Sequence, residues 1–165
     1  MTQNYRLILV PFVTVKNTAM AGLDDFAKRM SRISVEVEDG VERAVKDCAI
    51  AVTRSVINAT PVDTGRARSN WTAEMDQAFY KLFPAHVPGA KGSTGDANAE
   101  IAIEQAETAI NQFDVSKNNS IHISNSLPYI RALNDGHSKQ APTDFVKLAV
   151  MEGLATVRSA KVLKD

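Results

Sequence analysis

Apolar residues recur at helical spacing in two stretches near the start of the chain. In residues 23–33 the steps of three and four residues are typical of one helix face. Asp24 and Asp25 lie near the start of this stretch, where the helix dipole favours negative charge. The apolar positions are Leu23, Phe26, Ala27, Met30 and Ile33. We therefore predict a first helix that begins at about Leu23.

A second and more regular apolar stripe follows. Its steps of three and four residues place it along one side of a helix that ends near Asn58. Its members are Val41, Val45, Cys48, Val52, Ser55 and Val56. Residues 34–39, between the two stretches, either break the helix or continue it. The β-branched Val35 and Val37 weaken helix propensity there without forbidding a helix.

Three segments carry β-strand signals. Residues 7–13 are rich in β-forming side chains, and Pro11 confines them to a sheet edge, a strand start or an arm within residues 1–20. Residues 67–72 are suited to begin a strand. In residues 120–126, Ile121 and Ile123 alternate with polar residues. This alternation predicts a strand with one buried face and one face in water.

A long insert, residues 73–119, separates the two predicted strands. Its glycine- and serine-rich part, residues 88–95, predicts a mobile loop. Residues 97–113 then have helical spacing through Ile103, Ala106, Ile110 and Phe113. We expect a loop followed by a helix.

Two more helices are predicted after the second strand. The first runs from about Tyr129 to Leu133 and stops before Gly136, because glycine can adopt the left-handed conformation that ends a helix. The second follows Pro142, and its N-cap is Thr143 or Asp144. Its broad apolar surface comprises Phe145, Leu148, Ala149, Met151, Leu154, Ala155 and Val157.

The composition is that of one soluble globular domain. With 165 residues, of which 44% are hydrophobic, the chain can bury a core without disulfides, so we expect a single domain over residues 1–165. Nineteen basic residues balance nineteen acidic ones, which leaves no positive field for general nucleic-acid binding and permits self-association. The single cysteine, Cys48, lies in the second apolar stripe, where an inert core thiol in a reducing cytoplasm is expected.

The N-terminal apolar run invites a signal-peptide interpretation. Pro11 interrupts the run, Lys16 precedes the small residues that would be cleaved, and the run is too short to span a bilayer. A strand or an arm is the better prediction.

No catalytic or metal-binding pattern is present in the sequence. His86, His122 and His137 lie in different local settings without the spacing of a metal site. Asp135, His137 and Ser138 resemble the residue types of a hydrolase, but residues so close in a tight turn rarely point at one another. We expect no enzyme activity, no catalytic residue, no cofactor and no metal.

Four other side chains have both an internal and an interface interpretation. Trp71 and Tyr129 are favoured as core packing between sheet and helices, with interface anchoring as the alternative. Arg66 and Arg68 either bind acidic groups of a partner or form a local salt bridge at a solvated strand end.

Two separated parts of the chain together resemble a known family. Residues 60–71 contain Pro-Val-Asp-Thr-Gly-Arg, and residues 123–130 and 133–142 contain Asn-Ser-Leu-Pro-Tyr and Asp-Gly-His-Ser-Lys-Gln-Ala-Pro. The order of these motifs, and the helices predicted before and after them, are similar to those of the tail-completion or head-tail joining (neck) family of tailed bacteriophages and prophages. The resemblance covers most of residues 24–160.

The resemblance implies an α+β fold, with long N-terminal helices packed with a small antiparallel sheet and a C-terminal helix, plus a helical insert between the strands. It implies a structural virion protein, made in the host cytoplasm, that forms a homo-oligomeric ring, a hexamer or dodecamer, in the phage neck. Its partners would be portal or adaptor proteins and tail-terminator or tail-tube proteins. DNA would pass through the central channel without sequence-specific binding, and no membrane would be involved. A non-viral interaction module is the alternative, and a small hydrolase a more remote one.

The same resemblance selects the candidate interaction residues, which lie in or beside the two turn motifs. They are Asp63, Thr64, Gly65, Arg66, Arg68, Trp71, Tyr129, Gly136, His137, Ser138, Gln140 and Pro142. Asp63 and Gln140 can satisfy backbone groups, and Gly65 and Gly136 can relieve strained dihedrals. The chain departs from the family pattern at Ala67, where a larger aliphatic residue is usual, and in the length of its insert.

Overall fold

The computed structural model describes residues 18–160 and has an α+β fold, as expected. The elements in this range are α1 (Thr18–Ala59), α2 (Arg66–Ser69), β1 (Thr72–Met75), α3 (Gly95–Ile110), β2 (Ile121–Ser124), α4 (Ile130–Asn134) and α5 (Phe145–Ser159). The chain divides into two compact units, the first ending at Val35 and the second beginning at Glu36. The strand or arm predicted for residues 7–13 lies outside the described residues.

The first unit contributes the start of α1. The predicted helical spacing is confirmed, although the helix begins at Thr18 and not at Leu23. The apolar residues of this segment are exposed: Leu23 to 68%, Phe26 to 61%, Met30 to 50% and Ile33 to 42%. The choice left open for residues 34–39 is resolved in favour of one helix that continues to Ala59.

In the second unit, the buried side of α1 differs from the predicted stripe. Val41 is 37% exposed, and Val45, Cys48 and Val52 are only half-buried. The buried residues are Ala49, Thr53, Val56 and Ile57, with Thr60 directly after the helix. The reason is that α1 is covered from two directions. Val56 and Ile57 share a cluster with residues of α3 and α5, and Ala49 packs with Ala73, Ala106 and Ile110.

Helix α5 approaches α1 closely at a glycine. A Cβ atom on Gly153 would lie 2.3 Å from Val52 Cγ2 and 3.0 Å from the carbonyl oxygen of Cys48. Only glycine permits this approach without a shift of the backbone or of Val52. Partial burial in this contact raises the pKa of the Cys48 thiol, which disfavours the reactive thiolate.

The two strands form an antiparallel pair in which Thr72 lies opposite Ser124 and Ala73 opposite Ile123. The strand predicted to begin at residue 67 begins only at Thr72. Residues 66–69 form a helical turn instead, in which the Ser69 hydroxyl donates to the carbonyl oxygen of Gly65 at 3.1 Å.

The predicted alternation of burial in β2 is wrong, since all four of its residues are partly buried. Ile121 and Ile123 pack against the core as expected. The polar face is covered too, because the backbone N–H of Phe79 donates to Ser124 Oγ at 3.2 Å. The insert therefore shields the side of the sheet that was expected to face water.

Helices α4 and α5 follow the prediction, with one correction. Gly136 ends the α4 region with φ +91°, and Asp144 occupies the N-cap position of α5. However, the Asp144 side chain caps nothing. Asn134 Oδ1 accepts the Val146 N–H at 3.0 Å instead, so the side-chain amide of the last residue of α4 caps α5.

Candidate interaction site at the two turns

The first turn, residues 61–65, follows directly on α1. Thr60, between α1 and this turn, has a buried hydroxyl that donates to the Val56 carbonyl at 2.6 Å and accepts from Trp71 Nε1 at 2.8 Å. Gly65 has φ +81°, a conformation that L-residues with a side chain rarely adopt. These features fix the direction in which the chain leaves α1.

The second turn, residues 135–142, follows α4. Both the backbone N–H of His137, at 3.1 Å, and its Nδ1, at 2.9 Å, lie within hydrogen-bond distance of the Ala132 carbonyl. Ser138 Oγ accepts the Gln140 N–H at 3.2 Å. Local hydrogen bonds therefore hold the polar side chains of this turn in place.

The two turns meet, although 78 positions separate the residues that join them. Gln140 Oε1 accepts a hydrogen bond from the backbone N–H of Val62 at 2.8 Å. A cleft of about 300 Å³ lies at this junction. It is lined by Pro61, Val62, Asp63, Thr64, Ala67, Tyr129, Leu133, His137, Ser138 and Gln140.

The glycine-rich loop of the insert joins the first turn from another direction. The Lys91 N–H donates to Asp63 Oδ1 at 3.2 Å, and the Gly92 N–H donates to the Asp63 carbonyl at 2.8 Å. Both Lys91 and Gly92 have positive φ. Asp63 thus uses its side chain and its backbone to hold residues 91–92 beside the turn.

Six of the candidate residues line the cleft: Asp63, Thr64, Tyr129, His137, Ser138 and Gln140. Tyr129 is 42% exposed, so it is a surface residue here and does not pack in the core. Neither Gly65 nor Gly136 lines the cleft, and each has a backbone role. A Cβ atom on Gly65 would lie 2.2 Å from Asn98 Nδ2, and one on Gly136 would lie 2.5 Å from Thr143 Oγ1.

The remaining four candidates lie outside the cleft. Trp71 is buried in the core cluster. Arg68 donates to the carbonyl oxygens of Thr60 and Asn58, both at 3.0 Å, and so satisfies the last carbonyl groups of the α1 region. Its Nη1 also lies 3.4 Å from Asp96 Oδ1.

The other two candidates lie at the surface. The Arg66 Nε donates to the Phe83 carbonyl at 3.2 Å, and Pro142 is exposed.

Two asparagines that sequence reasoning missed attach the insert to α2 and to the residue that follows it. Asn98 is fully buried, and its Oδ1 accepts from Ser69 Oγ at 2.7 Å and from the Val87 N–H at 2.9 Å. Asn70 exchanges hydrogen bonds with the backbone of Phe83, with both distances 2.9 Å. For Asn98 the available signal was an asparagine between two alanines of a helix, at a position that a core would otherwise give to an apolar residue.

The polar side chains of the second turn do not form a catalytic arrangement with one another. His137 Nδ1 is directed at a backbone carbonyl, so the Asp135, His137 and Ser138 side chains do not form a catalytic relay. Among residues 18–160, no three His, Cys, Asp or Glu side chains cluster in a way that would hold a metal ion. In the same part of the chain, no helix combines the length and the apolar character that a membrane span requires.

The chain matches a protein-family model over most of its length. Residues 24–136 match the model of a family described as "Bacteriophage HK97-gp10, putative tail-component". The matched range contains the first turn, the insert, both strands and the start of the second turn. No curated protein and no solved structure matches the chain.

Proposed function

We propose that this chain, which belongs to the HK97-gp10-like family of bacteriophage tail components, acts as a self-assembling structural protein that joins head to tail in the neck of the particle. Membership of the family supports a role as a tail component. The joining role, the ring and the neck position are the proposal.

One observation carries the proposal most directly. The two turn motifs, far apart in sequence, are joined by the Val62–Gln140 hydrogen bond and together line one cleft. The cleft is partly exposed and has both polar and apolar lining residues, and its His137 and Ser138 side chains are held by local hydrogen bonds rather than arranged for catalysis. A preorganised surface of this kind suits binding to another protein, because little conformational entropy is lost on docking.

A ring follows if a surface of one copy binds a different surface of the next and the rotation closes. A hexamer or dodecamer would leave a central channel, and the equal numbers of acidic and basic residues suit a protein that DNA passes without being held. The portal or adaptor would lie on one side of the ring and the tail-terminator or tail-tube protein on the other. Such a role is mechanical and requires no cofactor.

The experiment is complementation of a phage or prophage that lacks this gene. Thr64→Arg together with Ser138→Arg fills the cleft with two long charged side chains. We expect heads and tails that accumulate unjoined, visible by electron microscopy, and a loss of infectious particles. Gln112→Arg, an exposed substitution outside the cleft, is the matched control and should support normal yield.

Joined and infectious particles from the cleft-filled variant, at the yield of the control, would contradict the proposed role of the cleft. The folded state of each variant is checked by circular dichroism and thermal unfolding before complementation. A folded variant that leaves heads and tails separate supports the proposal.

A further inference from the structure

The middle of the insert presents three neighbouring side chains to solvent. These residues, Tyr80, Lys81 and Leu82, are called the loop tip. Tyr80 is 80% exposed and Leu82 45% exposed, and Lys81 between them is exposed as well. Tyrosine is among the residues that contribute most to protein–protein binding, because its large ring loses little conformational entropy when it is buried.

The backbone is anchored on both sides of the loop tip. Before the tip, the Phe79 N–H donates to Ser124 Oγ at 3.2 Å, and the Phe79 carbonyl accepts from Ser126 Oγ at 2.8 Å. After it, Phe83 exchanges hydrogen bonds with Asn70. The two phenylalanine rings also pack together, with centroids 5.4 Å apart. The tip is therefore held in a fixed position while its own side chains take no part in the attachment, which lowers the entropy lost on docking.

A groove of about 860 Å³ lies between α1 and α3. Ala99 and Ile103 give it an apolar part, and its other lining residues are polar or charged. Among these, Arg54 is the single basic residue beside four acidic ones. Within residues 18–160, the exposed Glu100 and Glu104 form no ion pair. The full lining is Arg54, Asn58, Asp96, Ala99, Glu100, Ile103, Glu104, Glu107, Thr108 and Asn111.

The loop tip and the groove lie on opposite sides of α3. Gln105 and Ala109 line a small pocket together with Phe79, which directly precedes the tip. Glu100 and Glu107 line the groove. At about 3.6 residues per turn, these two pairs point in opposite directions from the helix axis. A loop tip therefore does not reach the groove of its own chain, but it can reach the groove of another copy.

The charges of the two surfaces are complementary. Residues 77–94, which carry the loop tip, contain Lys81 and Lys91 and no acidic residue. The groove has the opposite balance, with an excess of carboxylates around its apolar part. A lysine between two apolar side chains suits such a groove, because its flexible stem lets the ammonium group reach carboxylates at the rim while its neighbours are buried.

We infer that the loop tip of one copy docks into the α1–α3 groove of a neighbouring copy. Tyr80 and Leu82 then cover the apolar part of the groove, and Lys81 pairs with Glu100 and Glu104. The inference rests on the proposed function, since it specifies the contact by which copies assemble. Because the two surfaces differ, the contact is heterologous, and its repetition closes into a ring when the rotation allows.

The first test is a charge exchange, followed by mass photometry and sedimentation velocity of the purified full-length chain. Lys81→Glu, and separately Glu100→Lys with Glu104→Lys, place like charges in the contact, and each variant should weaken association at least about tenfold. An equimolar mixture of the two variants should assemble again, because every contact in an alternating ring then pairs opposite charges. Lys147→Glu, an exposed reversal on α5, is the control and should assemble like wild type.

The second test removes the aromatic ring. Tyr80→Ala should weaken association at least about tenfold, as expected for an anchor at the centre of a contact. The midpoint of thermal unfolding of the monomer should stay unchanged, because the side chain is exposed and the loop is held through its backbone. Tyr80→Phe keeps the ring and should associate more strongly than Tyr80→Ala.

The possible failures are distinguishable. If wild type assembles and the loop-tip and groove variants assemble equally well, the inferred contact is wrong and the proposed function is unaffected. If both charge variants lose assembly but their mixture does not recover it, the loop tip and the groove do not bind each other, which also overturns the inference. A wild-type chain that stays monomeric alone and with portal and tail proteins would overturn the inference and the proposed function together.

Discussion

The side-chain oxygen of Gln140 accepts a 2.8 Å hydrogen bond from the backbone N–H of Val62. This bond joins the turn after α1 to the turn after α4, and therefore links the two motifs that characterise the sequence. The Val62 N–H is partly buried, so it has poor access to water if its partner is removed.

Gln140→Ala should lower the free energy of unfolding by about 1–2 kcal/mol, because the Val62 N–H loses its acceptor. Urea unfolding measures the loss, and hydrogen exchange at the Val62 amide should become faster. Gln140→Glu keeps an acceptor oxygen at the same reach and serves as control, with a smaller effect on both readouts. Unchanged exchange at Val62 in Gln140→Ala would show that the bond does not hold the two turns together.

Thr60→Val should destabilise the chain by about 1–3 kcal/mol, because the buried Trp71 Nε1 then has no hydrogen-bond acceptor. The substitution retains the volume and β-branching of the side chain, so packing is little changed. Tryptophan fluorescence during urea unfolding provides the measurement. Thr60→Ser keeps the hydroxyl and should lose less stability than Thr60→Val; the reverse order would count against this hydrogen bond.

Gly153→Ala should destabilise by about 1–3 kcal/mol, because the new methyl group collides with Val52 where α5 approaches α1. Thermal unfolding monitored by circular dichroism measures the change. Val52→Ala makes room for the methyl group. In a chain that carries Val52→Ala, Gly153→Ala should therefore lower the free energy of unfolding by less than it does in wild type.

Gly22→Ala is the matched control for that experiment. Both glycines are helical, but nothing lies within 4 Å of a Cβ atom on Gly22. Alanine should therefore favour the helix there by about 0.8–1 kcal/mol. Equal effects of Gly153→Ala and Gly22→Ala on the free energy of unfolding would mean that α1 and α5 leave room for a methyl group at position 153.

Stability should fall at low pH partly through Asp114. The Lys117 ammonium, the Ser116 hydroxyl and the Ser116 N–H lower the pKa of this carboxyl from 3.8 to about 2. A folded-state pKa below the ordinary value means that the carboxylate stabilises the fold above about pH 4, and that this contribution is lost as pH falls towards 2. Asp114→Asn should therefore flatten the pH dependence of the free energy of unfolding in this window.

Ser116→Ala removes one of the three donors to Asp114 and should give an intermediate pH dependence. Some acid sensitivity should remain in every variant, because the pKa of Asp76 is also lowered, mainly by hydrogen bonds from Asn118 and Asn119. An unchanged slope in Asp114→Asn would show that this carboxylate is not linked to folding.

The elements that the sequence predicted well are those determined by local chemistry. The helical spacing of residues 23–33 and 41–56 indicated α1, and Gly136 indicated the end of α4, because backbone conformation there depends on one residue. The same reasoning identified both turns. The contact between the two turns was not derivable from either motif, because it depends on residues 78 positions apart.

The elements that were predicted wrongly depend on distant contacts. Residues 66–69 form a helical turn, and Ser69 there bonds to Asn98, 29 positions later. The polar face of β2 is covered by the insert through Ser124, and α5 is capped by Asn134 in place of Asp144. Local propensity carries no information on such partners. The position of the buried side of α1 was missed for the same reason.

An image reconstruction of the intact particle would show directly where this chain lies. We expect a ring of this chain between the portal and the tail, with the cleft formed by residues 61–65 and 135–142 at a contact between proteins. A particle in which this chain is absent, or in which it occupies a site away from the head-tail junction with the cleft open to solvent, would contradict the account.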